Sequence, residues 1–108
     1  SSAASDVYKR QMILYLLLDK PSYGYEISKQ IKALSNEKYI MKETTLYSAF
    51  TRMEKNGYIT SFPGVGDNGG KKRTYYSITD AGREYYKARC EEWALTKEVV
   101  EQFIKKEN

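Results

Sequence analysis

A glycine-rich segment between two strand-like stretches limits the fold of this chain more than any other feature. Seven of the eight residues at 63–70 are turn formers, and Asn68-Gly69 is a strong signal for a tight turn. The flanking stretches, 58–62 and 73–78, carry aromatic or β-branched residues. The sequence therefore predicts a β-hairpin with a long tip, and not a linker between two domains.

Three helices are predicted before this hairpin. Apolar periodicity, caps and breakers give them the bounds 6–19, 22–35 and 43–56. The first contains an apolar run at 12–18 that leaves no face for water, so it is expected to be buried on several sides. Ser22 is expected to cap the second helix, and Gly57 is expected to end the third in the left-handed conformation.

A last helix is predicted to begin at Thr79 or Asp80 and to reach Phe103 or beyond. Its stripe at helical spacing consists of Tyr85, Tyr86, Arg89, Trp93, Thr96, Val100, Phe103 and Ile104. A helix of ~25 residues is ~37 Å long. A body of roughly 75 residues cannot cover that length on one side, so the far half is expected to need a second chain.

The composition argues against an enzyme and against a membrane protein. At 108 residues the chain is long enough for one domain, and it has no histidine and one cysteine, Cys90. An internal disulfide, a cysteine-based metal site and the commonest general base are thereby excluded, and no cofactor is expected. The seven-residue apolar run is far shorter than the roughly 20 residues of a membrane span. Since no signal peptide is visible either, a cytoplasmic protein is expected.

Charge is unevenly distributed along the chain. Residues 1–79 hold 12 Lys/Arg against 7 Asp/Glu, a net charge of +5, whereas residues 80–108 hold 6 against 7, a net charge of −1. A basic body favours a polyanionic partner. We therefore divide the chain into a DNA-binding domain at 6–79 and a dimerisation helix at 80–108.

The order of these elements is that of a winged helix-turn-helix in an α+β, mostly α chain with a long C-terminal helix. The third helix is then the candidate reader, because Thr44, Ser48, Thr51 and Lys55 fall opposite its buried face. The hairpin tip adds three cations, Lys71, Lys72 and Arg73. Taken singly, a solvated helix face and a solvated charge run explain these features as well.

Five motifs in order resemble the PadR-type transcriptional regulators. They are Tyr23-Gly24-Tyr25-Glu26-Ile27, Thr45-Leu46-Tyr47, Arg52-Met53-Glu54-Lys55-Asn56-Gly57-Tyr58-Ile59, Gly69-Gly70-Lys71-Lys72-Arg73-Thr74-Tyr75-Tyr76 and Ile78-Thr79-Asp80-Ala81-Gly82. The resemblance covers nearly the whole chain. In its short length the chain resembles the subgroup with a single C-terminal helix. It implies a dimeric winged-helix repressor whose first and last helices form the dimer interface and which binds a two-fold symmetric operator.

The resemblance also assigns residues to DNA. It implies phosphate contacts for Tyr25 and Tyr47, and an embrace of the duplex by the basic residues after the hairpin glycines. Where many relatives carry Ser-Pro-Gly, this chain has Lys42-Glu43-Thr44, so the usual cap of the third helix is lost. The expected DNA-binding residues are Tyr25, Lys42, Thr44, Thr45, Tyr47, Ser48, Arg52, Lys71, Lys72 and Arg73.

Trp93 offers two interpretations. A lone tryptophan is usually an anchor in a core or an interface. Alternatively, two copies facing each other across a dimer axis would sandwich a flat aromatic molecule, as the resemblance to multidrug-sensing members with a Glu-x-Trp arrangement implies. Tyr8, Met12 and Cys90 are then expected in the walls. Arg89 is expected to pair with a carboxylate across the dimer, Glu92 being one candidate.

The sequence thus predicts a dimeric DNA-binding regulator, released by a flat aromatic effector at the dimer interface. The alternative is a winged-helix module for protein–protein contact that lacks sequence-specific DNA binding. Salt-sensitive affinity for a duplex distinguishes the two.

Overall fold

The computed structural model describes residues 3–66 and 69–106, so the Asn68-Gly69 turn signal falls partly outside the described residues. Four helices surround a small antiparallel sheet with the strand order β1-β3-β2. The elements are α1 (Ala3–Leu17), β1 (Ser22–Tyr23), α2 (Gly24–Leu34), α3 (Glu43–Lys55), β2 (Ile59–Val65), β3 (Lys72–Ile78) and α4 (Asp80–Glu101). This is a winged helix-turn-helix with a C-terminal helix, as the element order predicts.

Helix α1 supplies the middle of the core. Ile13, Leu14 and Leu17 are fully buried, as the apolar run predicts, but Tyr15 in the same run is 52% exposed, so the helix does present one side to solvent. The expected bounds 6–19 were shifted, because the helix already includes residues 3–5 and ends at Leu17. Asp6 therefore lies inside the first turn of the helix.

The start of α2 differs from the expectation. Ser22 was expected to cap a helix, but it lies in β1 opposite Tyr76 of β3, and Tyr23 lies opposite Tyr75. The helix begins only at Gly24, and the Tyr23 side chain makes no capping hydrogen bond. Pairing with a strand more than 50 residues away outweighs the local capping preference of serine, and such pairing leaves no local signal.

Helix α3 packs through the apolar residues of its predicted stripe. Leu46, Phe50 and Met53 are buried, and the Phe50 ring stacks on Tyr76 of β3 with 4.0 Å between centroids. Gly57 follows the helix at a φ of +81°, which confirms the predicted left-handed residue. The chain then turns directly into β2.

The hairpin is longer than predicted. β2 continues through residues 63–65, which had been assigned to the turn, and Pro63 lies opposite Thr74 of β3. Thr79 caps α4 as expected, since its Oγ1 accepts a hydrogen bond from Gly82 N at 3.0 Å. The helix ends at Glu101, short of Phe103, and all its residues from 91 onward are exposed. Within the described ranges, no helix is long and apolar enough to cross a membrane.

Candidate nucleic-acid interface

The outer face of α3 is polar and open to solvent. Thr44, Ser48, Thr51 and Lys55 are exposed, as the helical phase predicts, whereas Thr45 is half-buried. The hydroxyl of Thr51 donates to the Tyr47 carbonyl at 3.0 Å and is thereby directed along the helix. Short side chains along this face let the helix axis approach a groove closely.

Tyr47 and Tyr25 flank this face. The Tyr47 ring leans edge-on against Phe50, 5.7 Å between centroids, and lies over the backbone of Gly24 at the start of α2. A methyl group at Gly24 would come within 2.7 Å of the Tyr47 hydroxyl oxygen, so glycine makes room for the phenol. Tyr25, in the first turn of α2, is 66% exposed. The phenols of Tyr25 and Tyr47 therefore both lie near the N-terminal end of α2.

Neither α2 nor α3 has a side-chain cap at its N-terminus. The residues before them, Tyr23 and Lys42, are extended and accept no hydrogen bond from the first turn through their side chains. The N-cap side chains therefore do not occupy the first-turn N–H groups of either helix, and the helix dipole there favours an anionic acceptor. Lys42 is itself exposed beside the first turn of α3.

The hairpin holds its three cations in two different ways. Lys71 and Lys72 are exposed, whereas Arg73 is half-buried. The Arg73 guanidinium carbon lies 4.2 Å from the centroid of the Tyr23 ring, a cation–π contact. Because Tyr23 immediately precedes α2, this contact connects the hairpin to the helix that carries Tyr25. Among the described residues, Arg73 thus has an aromatic partner on the body of the protein.

A polar groove separates the beginning of α1 from the outer face of α3. It has a volume of about 300 Å³, and its lining residues are Asp6, Lys9, Arg10, Thr44, Thr45, Ser48, Ala49 and Arg52. Arg52 Nη1 lies 3.5 Å from Asp6 Oδ2. Sequence reasoning placed Arg52 at the interface but missed Asp6, Lys9 and Arg10, because these residues lie in a helix assigned to the core and the dimer interface.

A second, mostly apolar cavity of about 410 Å³ opens between α1, α2 and α4. Its walls are formed by Tyr8, Gln11, Met12, Tyr15, Leu16, Ile31, Leu34, Ser35, Tyr86 and Trp93. The Tyr8 and Trp93 rings meet edge to face, 5.3 Å between centroids, and Trp93 is 45% exposed. The structure thus brings together three of the four residues expected to bind an effector. Leu34, the last residue of α2, is exposed at this cavity.

Cys90, the fourth of these residues, does not line the cavity. Its Sγ accepts a hydrogen bond from Gln11 Nε2 at 3.5 Å, which ties α4 to α1 beside the cavity. Burial, followed by a hydrogen bond with the Cys90 side chain, raises the pKa of the neighbouring Tyr86 phenol to about 12. The thiol and the phenol therefore belong to the packing between the two helices.

Arg89 has partners within its own helix. Its Nη2 lies 3.6 Å from Glu92 Oε2, and its guanidinium carbon lies 5.1 Å from the Tyr85 ring centroid. Glu92 was considered as a partner across a dimer, and in the structure it pairs with Arg89 of the same chain. Among the described side chains, the Arg89 Nε is the buried nitrogen or oxygen atom without a hydrogen-bond partner.

Comparison with known proteins gives a consistent result. A family model described as the transcriptional regulator PadR-like family matches residues 13–88, from the middle of α1 into α4. An uncharacterized protein from Lysinibacillus sphaericus is 42% identical over 93 residues, which cover 86% of this chain and 84% of the relative.

Solved structures of similar chains share the whole architecture. A transcriptional regulator from Clostridium thermocellum is 54% identical and superposes with a TM-score of 0.85, covering 96% of this chain and 100% of that one. A PadR family transcription regulator from hypervirulent Clostridium difficile R20291 is 34% identical, with a TM-score of 0.78 over 89% of this chain and 97% of that one. The outer face of α3 and the hairpin therefore lie in a frame that is similar to that of solved regulators.

Proposed function

This chain belongs to the PadR-like family of transcriptional regulators, and on that basis we propose that it acts as a homodimeric repressor that binds a two-fold symmetric DNA operator. The observation that supports this best is the exposed polar face of α3, flanked by Tyr47, which lies over the start of α2. Tyr23, directly before α2, in turn contacts Arg73 of the basic hairpin. A non-enzymatic role is part of the proposal. So is a location in the cytoplasm, where the DNA of its bacterial relatives lies.

In this proposal α3 enters the major groove of the duplex. Thr44, Thr45 and Ser48 supply the base contacts, and Arg52 lies at the edge of that face. The phosphate contacts come from residues with a hydroxyl or a cation beside the reading helix: Tyr25, Lys42, Tyr47, Lys71 and Lys72. Arg73 can donate its N–H groups to a phosphate while its guanidinium stays over the Tyr23 ring. The two readers of a dimer would lie about 34 Å apart, one turn of the duplex.

The proposed dimer interface includes α4. Beyond residue 91 this helix is exposed all round, and its exposed apolar side chains are Trp93, Leu95, Val99 and Val100, followed by Phe103 and Ile104. An apolar surface of this kind on a small chain is typical of a protein–protein interface. We therefore keep the division into a DNA-binding domain at 6–79 and a dimerisation helix at 80–108.

We further propose that a flat aromatic effector releases the operator. Its site would be the slot between Trp93 and the same residue of the second copy, next to the apolar cavity of Tyr8 and Met12. Such a ligand must bind more tightly to the dimer conformation in which the two α3 helices are wrongly spaced for the operator. A ligand with equal affinity for both conformations would not shift the equilibrium between them. Since Trp93 is the single tryptophan of the chain, its fluorescence reports this site directly. A spectrum that stays unchanged across a panel of planar cationic dyes would remove the effector from the proposal.

The DNA-binding proposal is tested by selecting bound duplexes from a random pool and titrating the winner at several salt concentrations. A palindromic winner with a steep fall of log affinity against log salt is expected. Replacing Lys71 and Lys72 with alanine should flatten that slope by about two units. The matched control is Lys87→Ala with Lys105→Ala, which removes the same charge from α4 and the residues after it. A pool that stays random, or an affinity indifferent to salt, would favour the protein-contact module instead.

A further inference from the structure

We propose that the polar groove between α1 and α3 binds a backbone phosphate of duplex DNA, and that Asp6 weakens this binding by competing for Arg52. The inference deepens the proposed DNA-binding function and rests on it. It extends the DNA interface from α3 and the hairpin to the first turns of α1.

The position of the groove is the first argument. Its lining hydroxyls are Thr44, Thr45 and Ser48, which are the proposed base-reading residues on α3. A duplex that lies on this face of α3 therefore passes over the mouth of the groove. The opposite wall comes from α1, and the groove of about 300 Å³ has ample room for one phosphate group.

The charge of the groove is the second argument. Three cations, Lys9, Arg10 and Arg52, face one carboxylate, Asp6, so the lining carries a net charge of +2. Among the residues that the structure describes, the ion pairs do not include Lys9 or Arg10. Both residues are half-buried, so part of each side chain already packs against the protein surface. An excess of positive charge in a groove favours an anion, and guanidinium groups suit phosphate oxygens.

Asp6 gives the groove an internal competitor for that anion. The Arg52 Nη1–Asp6 Oδ2 distance of 3.5 Å is long for a charged hydrogen bond, and the Arg52 side chain is 62% exposed. A pair of this kind is weak and exchangeable. When a phosphate arrives, Arg52 can turn from Asp6 to it, while the carboxylate repels the phosphate. Asp6 thus lowers the affinity of the interface without contacting DNA.

The experiment measures the affinity of the full-length chain for its selected duplex at several salt concentrations. Asp6→Asn should raise affinity about threefold and steepen the salt slope, because one repulsive charge is removed and Arg52 is released. Glu84→Gln is the matched control, since it removes the same charge at an exposed position of α4. Lys9→Gln and Arg10→Gln should each flatten the slope by about one unit, whereas Lys87→Gln should leave it unchanged.

A double variant tests the route through Arg52. In an Arg52→Gln background, the gain from Asp6→Asn should shrink, and an undiminished gain would overturn the competition for Arg52. If Asp6→Asn binds no more tightly than Glu84→Gln, or if Lys9→Gln and Arg10→Gln bind as Lys87→Gln does, the groove is not a phosphate site. The proposed function survives that result, because the unmodified chain still binds its operator. If the unmodified chain shows no salt-dependent binding, both proposals fail.

Discussion

The phenol of Tyr47 lies over the backbone of Gly24, so that a methyl group added at Gly24 would meet the Tyr47 hydroxyl oxygen at 2.7 Å and its ring carbon Cζ at 3.0 Å. The atoms in the way belong to the far end of a flexible side chain, which can move at little cost. Glycine at this position therefore matters for the position of the Tyr47 hydroxyl more than for the stability of the fold.

Gly24→Ala should therefore impair DNA binding more than stability. The displaced Tyr47 hydroxyl loses its proposed phosphate contact, and affinity for the selected duplex should fall about fivefold, the value of one hydrogen bond. Alanine is favoured over glycine by up to about 1 kcal/mol inside a helix and by less at this first position, which offsets part of the small strain, so the melting temperature should change little. In a Tyr47→Phe background the substitution should have a smaller effect on affinity. An equal effect in both backgrounds would show that Gly24 acts by another route.

Gly82→Ala should be strongly destabilising. A methyl group there would collide with the backbone carbonyl of Tyr58 and would lie 2.8 Å from Ile78 Cγ1, and a backbone atom cannot turn away. Overpacking of this kind costs about 2 kcal/mol, which urea denaturation measures directly. Gly70→Ala is the control, because nothing lies within 4 Å of a methyl group there. A loss as small as that of the control would mean that α4 can shift away from the start of β2.

Glu37→Gly should stabilise the chain. Asn36 and Glu37 both have positive φ values, of 54° and 63°. Asparagine tolerates this conformation, whereas for glutamate it costs about 1 kcal/mol. The ion pair with Lys32, at 3.7 Å between exposed side chains, contributes little that would be lost. Glu37→Ala removes the same ion pair but keeps the strain, so only the glycine variant should melt at a higher temperature.

Stability at alkaline pH should depend on Tyr86. The pKa of this phenol is about 12 in the folded chain, raised by burial and by Cys90, against about 10 when unfolded. The neutral phenol therefore contributes stability that is complete below pH 10 and is lost as the pH rises toward 12. Phenylalanine cannot ionise, so Tyr86→Phe should gain stability relative to the unmodified chain between pH 9 and pH 11. Urea denaturation at pH 9 and at pH 11 measures the free energy of unfolding of both chains. Tyr25→Phe, at an exposed site, is the control.

The local parts of the fold could be predicted from the sequence. The apolar run fixed α1 in the core, Gly57 marked the end of α3, and Thr79 marked the start of α4, because each signal lies within a few residues of its effect. β1 could not be predicted in this way. Its two residues form a strand only because Tyr75 and Tyr76, far along the chain, pair with them.

The same distinction applies to the candidate site. The phase of α3 placed Thr44 and Ser48 on its outer face, because helical period is a property of the local sequence. The contacts Asp6–Arg52 and Tyr23–Arg73 join elements separated by long stretches of chain. Neither has a spacing that can be recognised in one sequence. The sequence therefore predicted the same role for Arg73 as for Lys71 and Lys72, although Arg73 is half-buried against Tyr23 and the two lysines are exposed.

The strand order β1-β3-β2 has a consequence for how this chain behaves at high concentration. Both outer strands are poor templates for a further strand: β1 has two residues, and β2 contains Pro63, which has no N–H to donate. The hairpin is also rich in aromatic residues, with Phe62 stacked on Tyr75. Short and interrupted edges protect such a sheet from aggregation, the edge-to-edge growth into intermolecular β-structure that its composition would otherwise favour.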